Sequence, residues 1–580
     1  MGLQCATWNW ILACWSEVRA VLRICVDTCA ERESSFELRR SLMKIKSILL
    51  VSLLWCFGDA VHLFAAERPN IVVVLVDDLG FSDLGCYGGE VPTPNLDRLA
   101  AGGVRFTQFY NCARCSPTRA SLITGLYPHQ AGMGWLDNMV EPASRGIHGR
   151  LLPRCVTIAE VLREAGYFTA MTGKWHLGQQ HGTPPWKRGF ERSLNSRFGE
   201  VYFPHEMDKP GTKELYLNGE EMPKDSPVFG EDWYSTDLFT EWGLKFVDEA
   251  RAQKKPFFLY IAQGAVHFPL RAPPEVIEKY RGRYLQGWDK LREQRHAKQI
   301  EMGLVDRQWP LAPRPPESPA WETQTVEEKQ RFDEIMAVYA AMIDRIDFAI
   351  GTLVDGLTRR GVLEDTLILF LSDNGGNAEG GPPGVTRGEG PIGSPQSYVL
   401  LGMNWATMAN TPFRRYKHFT HEGGISTPLI AHWPAGIAAA RRSRFEKQPA
   451  HLVDIMATAV DLAGARYPQE RDGQAIEPMQ GTSLRPTFEA KALERTQPIF
   501  WEHEGNKAVR DGKWKLVMRH RQPWQLFDME ADRTEQHDLV KQHPELAAKL
   551  EAAWDAWAKR AFVDDWPGPD HTDWGQDIPR

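Results

Sequence analysis

Cysteine is scarce where a disulfide framework would need it. The 580-residue chain holds nine cysteines, and five of them (Cys5, Cys14, Cys25, Cys29 and Cys56) precede residue 60. Cys86, Cys112, Cys115 and Cys155 remain, too few to staple a chain of this size. Charge of one sign is lacking as well. Lys+Arg number 68 against 75 Asp+Glu, a net charge of −7 without a long basic run. Such a chain is poorly suited to a phosphate backbone, so nucleic acid is not expected as a partner. The apolar run at 48–57 is too short to span a bilayer, and no stable membrane insertion is expected. No repeat period marks a solenoid or propeller. What is present is ordinary for a globular protein, 42% hydrophobic and 25% charged residues, which excludes a disordered, collagen-like or many-pass membrane chain. The 21 Trp and 39 Pro suggest long ordered loops over a sizeable core.

The N-terminal skew in cysteine has a simple reading. Met43-Lys44-Ile45-Lys46 is positive, 48–57 is apolar, and Ala65-Ala66 ends the stretch with small residues. Residues 43–66 therefore read as a secretory signal peptide cleaved near Ala66, and the expected location is periplasmic or secreted. Residues 1–42, with Trp8, Trp10 and Trp15, resemble neither a signal nor a domain. They read as a non-native extension ahead of a start at Met43, with an ordered extension as the alternative. A lipid anchor on Cys56 is disfavoured by the bulky Trp55 before it.

Residues 71–76 form a continuous β-branched and leucine run, as in a parallel-sheet strand buried on both faces. Similar runs occur at 168–171, 256–262 and 366–371. Helices are expected from 93 to 100, from 156 to 165, and along the apolar stripe of Ile335, Val338, Tyr339, Met342, Ile343, Ile346, Ile350 and Leu353. Strands alternating with helices imply an α/β fold with a large, mostly parallel mixed sheet flanked by helices. Beyond about 490 the pattern changes to short strands at 497–501, 507–510, 514–518 and 524–527, then a helix at 544–561. We expect a main domain over 67–490 and a small α+β subdomain over 491–580, an antiparallel sheet with a helix. The Gly- and Pro-rich stretch 375–395 reads as a long loop past a strand end, suited to binding substrate.

Asp77 and Asp78 end one buried strand, and Asp373-Asn374 ends another. Such carboxylates are costly unless compensated, and a hard divalent cation is the natural partner for oxygen ligands. Strand C-termini converge at one edge of a parallel sheet, so the two pairs can share an ion. Taken alone, Asp77-Asp78 would more often be a helix cap or a loop pair. Cys115-Ser116-Pro117-Thr118-Arg119 places a cysteine four residues before an arginine, ahead of a helical-looking stretch. A lone cysteine is usually a small buried hydrophobe. A thiolate phosphatase would place its arginine at position 121, which is Ser121.

At these residues the chain resembles the sulfatase family. The run from Cys115 to Gly125, Cys-Ser-Pro-Thr-Arg-Ala-Ser-Leu-Ile-Thr-Gly, is similar to the signature in which the cysteine is oxidised to formylglycine. Gly173-Lys174-Trp175-His176-Leu177-Gly178 is similar to the second signature. The resemblance extends over Asp77-Asp78-Leu79-Gly80, Ser372-Asp373-Asn374-Gly375, and Lys417 ahead of Glu422-Gly423-Gly424, and the pattern is similar to that of bacterial arylsulfatases. Val266 departs from it, since the family commonly has proline before the histidine equated with His267.

The resemblance implies a sulfuric ester hydrolase. Its metal site would comprise Asp77, Asp78, the converted Cys115, Asp373 and Asn374, holding Ca²⁺, with Mg²⁺ as the alternative. A maturation enzyme would generate the formylglycine, and a sulfated small molecule or carbohydrate would be the substrate. Breaking a sulfate ester moves charge onto the leaving oxygen, which calls for fixed cations and a proton donor. By similarity one hydroxyl of the formylglycine hydrate, assisted by Asp373, attacks sulfur, while Lys417 and His267 serve the leaving alcohol. His176 deprotonates the second hydroxyl to expel sulfate, and Arg119 and Lys174 hold the diol and the sulfate. Alone, each lysine would be a surface residue and each histidine a structural one more often than not. Arg114 and His129 lie near the nucleophile without an assigned role, and Cys112 has none. Cys86 and Cys155 are packing residues or a disulfide pair. Trp135, Trp175, Tyr398 and Trp405 are candidates to line a pocket. Two other functions are open: a phosphonate or phosphate monoesterase of the same superfamily, and a non-catalytic binding protein with this fold.

Overall fold

Residues 71–76 carry no polar side chain, and β1 (Asn70–Val76) lies inside a sheet with both faces covered. Val72, Val74 and Val76 enter one hydrophobic layer, and Ile71, Val73 and Leu75 enter the other, the period-two alternation of a strand. A computed structural model describes residues 68–208 and 214–566. The expected signal segment and the block before it lie outside these residues.

The other strands of the large sheet are β2 (Val104–Tyr110), β3 (Phe168–Lys174), β4 (Arg192–Ser196), β5 (Leu215–Leu217), β6 (Glu220–Met222), β7 (Phe257–Ala262) and β8 (Thr366–Ser372). A hairpin, β9 (Val385–Gly388) and β10 (Ser397–Leu400), stands apart, and β11 (Ser426–His432), β12 (Arg444–Glu446) and β13 (Ala450–His451) complete the sheet. Its order is β12-β2-β11-β8-β1-β7-β3-β4-β5-β6, with β13 also on β2. The central block β8-β1-β7-β3-β4 is parallel, and β11 runs antiparallel between β8 and β2. The expected mixed, mostly parallel sheet is therefore the one observed.

One face is covered by the helices Ser235–Ala252 and Val326–Arg359. The latter contains the expected stripe and starts with a capping box, in which Thr325 accepts from the Glu328 amide. The opposite face carries the helices Cys115–Thr124, Ile158–Glu164 and Val453–Ala463. The stretch expected as a loop over 375–395 is a loop only up to the β9 strand, which pairs with β10.

After the two-residue strands β14 (Glu470–Arg471) and β15 (Gln474–Ala475), the chain forms a four-stranded antiparallel sheet. Its strands are β16 (Ile499–His503), β17 (Asn506–Asp511), β18 (Trp514–Met518) and β19 (Gln525–Asp528). The helix Pro544–Arg560 covers one face through Leu550, Trp554 and Trp557, with Trp557 stacked 5.1 Å from Phe500. The other face meets Tyr110, Ala113 and Ile425 of the large unit. Beside it Lys515 pairs with Glu422 and Glu535, each at 2.8 Å, and Arg533 pairs with Glu422 at 2.9 Å, all fully buried.

Candidate active site

The parallel register of β1 and β8 sets Val76 opposite Ser372. The next residues, Asp77 and Asp373, therefore leave neighbouring strand ends at one level, the edge where open α/β sheets bind ligands. β3 ends at the same edge on Lys174. Asp78 turns away from the strand with φ +62°, a conformation uncommon for a side-chain-bearing residue, and its amide donates to Asp373 Oδ1 at 3.2 Å. Cys115 opens the helix Cys115–Thr124. Arg119 lies one turn on, so both side chains share a helix face.

These residues meet. The Cys115 thiol donates to Asp77 Oδ1 at 3.7 Å. Arg119 Nη2 donates to Asp77 Oδ2 at 3.2 Å and Asp373 Oδ2 at 2.8 Å, and Nη1 to the Lys174 carbonyl at 3.1 Å. Lys174 Nζ lies 2.6 Å from Asp77 Oδ2. Lys417 Nζ lies 2.8 Å from Asp78 Oδ1, and His267 Nε2 lies 3.7 Å from Asp78 Oδ2. His267 Nδ1 donates to the Phe268 carbonyl at 2.6 Å, leaving Nε2 toward the carboxylates. The peptide bond before Val266 is cis. Asn374 Nδ2 donates to Asp78 Oδ1 at 2.6 Å. His176, also at positive φ (+54°), stands beside Asp137, with 3.3 Å between Nε2 and Oδ1.

Depth polarises the cluster. Burial alone would raise both aspartates, but Lys174, His267 and Arg119 hold Asp77 well below the usual carboxylate range. At Asp373 burial wins, helped by the negative Asp77, and the carboxyl is pushed up to about 7. Burial and Asp77 push the Cys115 thiol up to about 12, so it is no thiolate nucleophile at neutral pH. Burial lowers His176 to about 4 despite Asp137, leaving a neutral imidazole. Burial opposes the charge on Lys417, but Asp78 keeps it firmly protonated.

A hard divalent cation fits this donor set. Asp77, Asp78, Cys115 and His267 offer donor atoms within 4.8 Å of one another. The buried Asn374 Oδ1 accepts no hydrogen bond among the described residues, and such an atom is costly unless a ligand takes it.

Above this floor opens a cavity of about 390 Å³. Cys115, Lys174, His176, His267 and Lys417 line its base, with Phe198, Glu200, Phe268 and Tyr398 on its wall. Of the four aromatic candidates only Tyr398 lines it. Trp175 and Trp405 are fully buried in the core, where flat apolar rings gain most from leaving water. Trp135 instead donates to Glu504 at 3.0 Å. Arg114 does line the cavity, paired with Glu379 at 2.9 Å. His129 pairs with Glu502 of the C-terminal sheet at 2.9 Å. Cys86, Cys112, Cys115 and Cys155 are free and buried, which removes the disulfide option for Cys86 and Cys155. Cys112 donates to Ser121 Oγ at 3.3 Å.

Sequence reading missed Asp137, Asn377 and Glu379. Asn377 Nδ2 donates to Asp78 Oδ2 at 2.7 Å. Glu379 bonds Arg114 and His418, and Lys417, Arg114 and His418 hold its carboxyl well below the usual range against the pull of burial. The proximity of Asn377 and Glu379 to the Asp373-Asn374 turn was the one available signal.

Strand-end carboxylates lie beneath fixed cations and a buried helix-start cysteine at the base of one cavity, an arrangement suited to an anionic ester. The chain belongs to the sulfatase family, whose model matches residues 69–465. A second model, N-sulphoglucosamine sulphohydrolase, C-terminal, matches residues 414–558. The chain is similar to an uncharacterized sulfatase of Schizosaccharomyces pombe, 34% identical over 84% of this chain and 93% of that protein. It is similar to the arylsulfatase of Klebsiella aerogenes, 32% identical over 78% of this chain and 98% of that protein. Human arylsulfatase A is 30% identical over 79% of this chain and 76% of its own length. Among solved structures, Ps i-CgsB in complex with k-i-k-neocarrahexaose is 26% identical with a TM-score of 0.64, covering 87% of this chain and 96% of that one. The protein is thus a sulfatase, an enzyme of sulfate ester hydrolysis.

Proposed function

We propose that the chain hydrolyses a sulfate monoester through formylglycine at position 115, releasing inorganic sulfate and an alcohol or phenol. The observation that carries this reading is the position of Cys115, beside Asp77 and beneath Lys174 and Lys417 at the base of one cavity. Asp77, Asp78, Asp373 and Asn374 would hold Ca²⁺, or Mg²⁺ in its place, together with the converted residue 115. When bound, the cation would draw negative charge from the nucleophile and the sulfate.

The remaining work falls to the chain's own residues. Lys174 and Arg119 fix the charge of the sulfate and of residue 115 without reorganising, because their carboxylate partners already hold them. His267 and Lys417, both on Asp78, stand together to serve the leaving oxygen as its bond to sulfur breaks. His176 is neutral at pH 7 and oriented by Asp137, the state a proton acceptor needs. Relatives named for arylsulfatase and N-acetylgalactosamine-6-sulfatase activities support both aryl and carbohydrate esters. The oligosaccharide bound to Ps i-CgsB favours the latter.

A periplasmic or secreted location and a formylglycine-generating partner belong to the same proposal. The domain division at 490/491 is likewise proposed, on the change from the large sheet to the small one. Among the described residues no helix is long and apolar enough to cross a membrane.

The test is peptide mass spectrometry across Cys115 combined with turnover of matched aryl sulfate and aryl phosphate. We expect an aldehyde at position 115, sulfate preferred, and Cys115→Ala reducing turnover by about 1,000-fold or more. Near-normal turnover of Cys115→Ala would overturn the nucleophile assignment. Preference for phosphate would favour the phosphomonoesterase reading. An inert protein with confirmed aldehyde would favour the binding protein.

A further inference from the structure

The wall of the cavity carries a carboxylate that the reaction does not use. Glu200 is half-buried, lines the cavity and makes no ion pair or hydrogen bond among the described residues. The cations around it are engaged elsewhere: Lys174 by Asp77, Lys417 by Asp78, and Arg114 by Glu379.

The backbone on either side of it is closely held. Gly199 has φ +77° and presses its backbone on the Lys174 side chain, where an added Cβ would come within 2.7 Å of Lys174 Cβ. The Gly199 amide donates to Ser196 Oγ at 3.0 Å. Just beyond Glu200, the buried Tyr202 hydroxyl lies 2.9 Å from the Gly264 carbonyl and 2.6 Å from that of His267. The segment holding Glu200 is thus pinned on one side to Lys174 and on the other to the backbone of His267. Aromatic faces surround the same opening. Phe198 meets His176 edge-on at 5.6 Å, Phe268 stacks on His267 at 4.2 Å, and Tyr398 stands 6.2 Å from Phe268. Burial and then Glu200 raise the Tyr398 hydroxyl to about 12, consistent with both groups facing one space.

We propose that Glu200 is a specificity-determining residue, favouring sulfate esters whose leaving group is neutral and hydroxyl-bearing and rejecting those with a second anionic group beside the ester. The inference rests on the sulfatase reading above. An ionised carboxylate only accepts hydrogen bonds, so free hydroxyls next to the ester satisfy it. A neighbouring sulfate or carboxylate would face it as a like charge in a partly desolvated cavity whose lining cations Lys174, Lys417 and Arg114 already have carboxylate partners, the exposed Arg387 standing across the hairpin beside Tyr398. The aromatic faces cover the apolar side of such a leaving group.

The experiment uses full-length chain with confirmed aldehyde at position 115. It compares a hexose monosulfate having free adjacent hydroxyls with the same hexose carrying a second sulfate on the adjacent carbon. At low ionic strength we expect kcat/KM about tenfold or more in favour of the monosulfate, mostly through KM, and a ratio that narrows with added salt. Glu200→Gln should bring the ratio to within about threefold of unity, and Glu200→Lys should reverse it. Each ratio comes from one preparation, so the fraction folded cancels. Equal or better turnover of the disulfate by the native chain, or a ratio unmoved in Glu200→Gln, overturns the role of Glu200 and leaves the sulfatase reading standing. Failure to turn over either hexose ester or a simple aryl sulfate overturns both.

Discussion

Two clusters of fully buried charge lie at the same depth, and they behave in opposite ways. Between the two sheets, Glu422 is flanked by Lys515, Arg533 and Arg510, whose attraction overcomes burial and holds its carboxyl at about 2. At the strand ends, Asp373 shares Arg119 with Asp77 and is pushed up to about 7. Both carboxylates are 0% exposed, so depth does not separate them. The count of cations per carboxylate does. A satisfied buried carboxylate joins pieces of the fold, whereas an under-compensated one leaves room for a positive partner from outside.

The comparison breaks most sharply at Asp373. Asp373→Asn should lower sulfate ester turnover by about 100-fold or more, with less divalent metal retained by elemental analysis. The thermal midpoint of the metal-free protein should hold or rise, because a carboxylate strained by its neighbour is removed. A large fall in that midpoint would mean that Asp373 is structural.

Glu422→Gln should do the reverse. It leaves Lys515 and Arg533 under-paired in the interior and should cost about 3–5 kcal/mol in chemical denaturation, with turnover per folded molecule maintained. The pH dependence has a definite sign. Glu422 sits at about 2 when folded and near 4.5 when unfolded, so the folded state binds fewer protons between these values. Its stabilisation is present above pH 4.5 and drains away as pH falls toward 2. The stability gap between native chain and variant should therefore close on acidification, and a gap that widens would contradict the pairing.

Arg145 gives the smallest effect. Its side chain is 53% exposed and pairs with Asp564 at 2.8 Å, so Arg145→Ala should cost less than about 1 kcal/mol and fade in salt. A cost comparable with that of Glu422→Gln would show that burial is not what sets these energies.

The sequence carried the fold well where the signal is local. The apolar run of β1, the stripe on the helix Val326–Arg359 and the 514–518 strand follow from period and composition. The floor of the site was legible because its residues sit in short motifs at strand and helix ends. The partners of those residues were not. Asp137 reaches His176 from 39 positions away, and Glu504 reaches His418 from 86. No periodicity says which distant carboxylate will return to a given histidine. Trp175 and Trp405 misled for a related reason: an aromatic ring beside a motif can face inward as readily as into a cavity.

Cys115 is 2% exposed, at the base of the cavity it helps to line. A catalyst the size of a protein would have no access to such a thiol once the sheet has closed, so for the proposed maturation the timing of synthesis would govern the outcome. The proposed conversion would then belong to the nascent, still-open chain. On that proposal, a molecule that folded with its sulfur intact would keep it, and the yield of competent enzyme would be settled by the race between oxidation and folding.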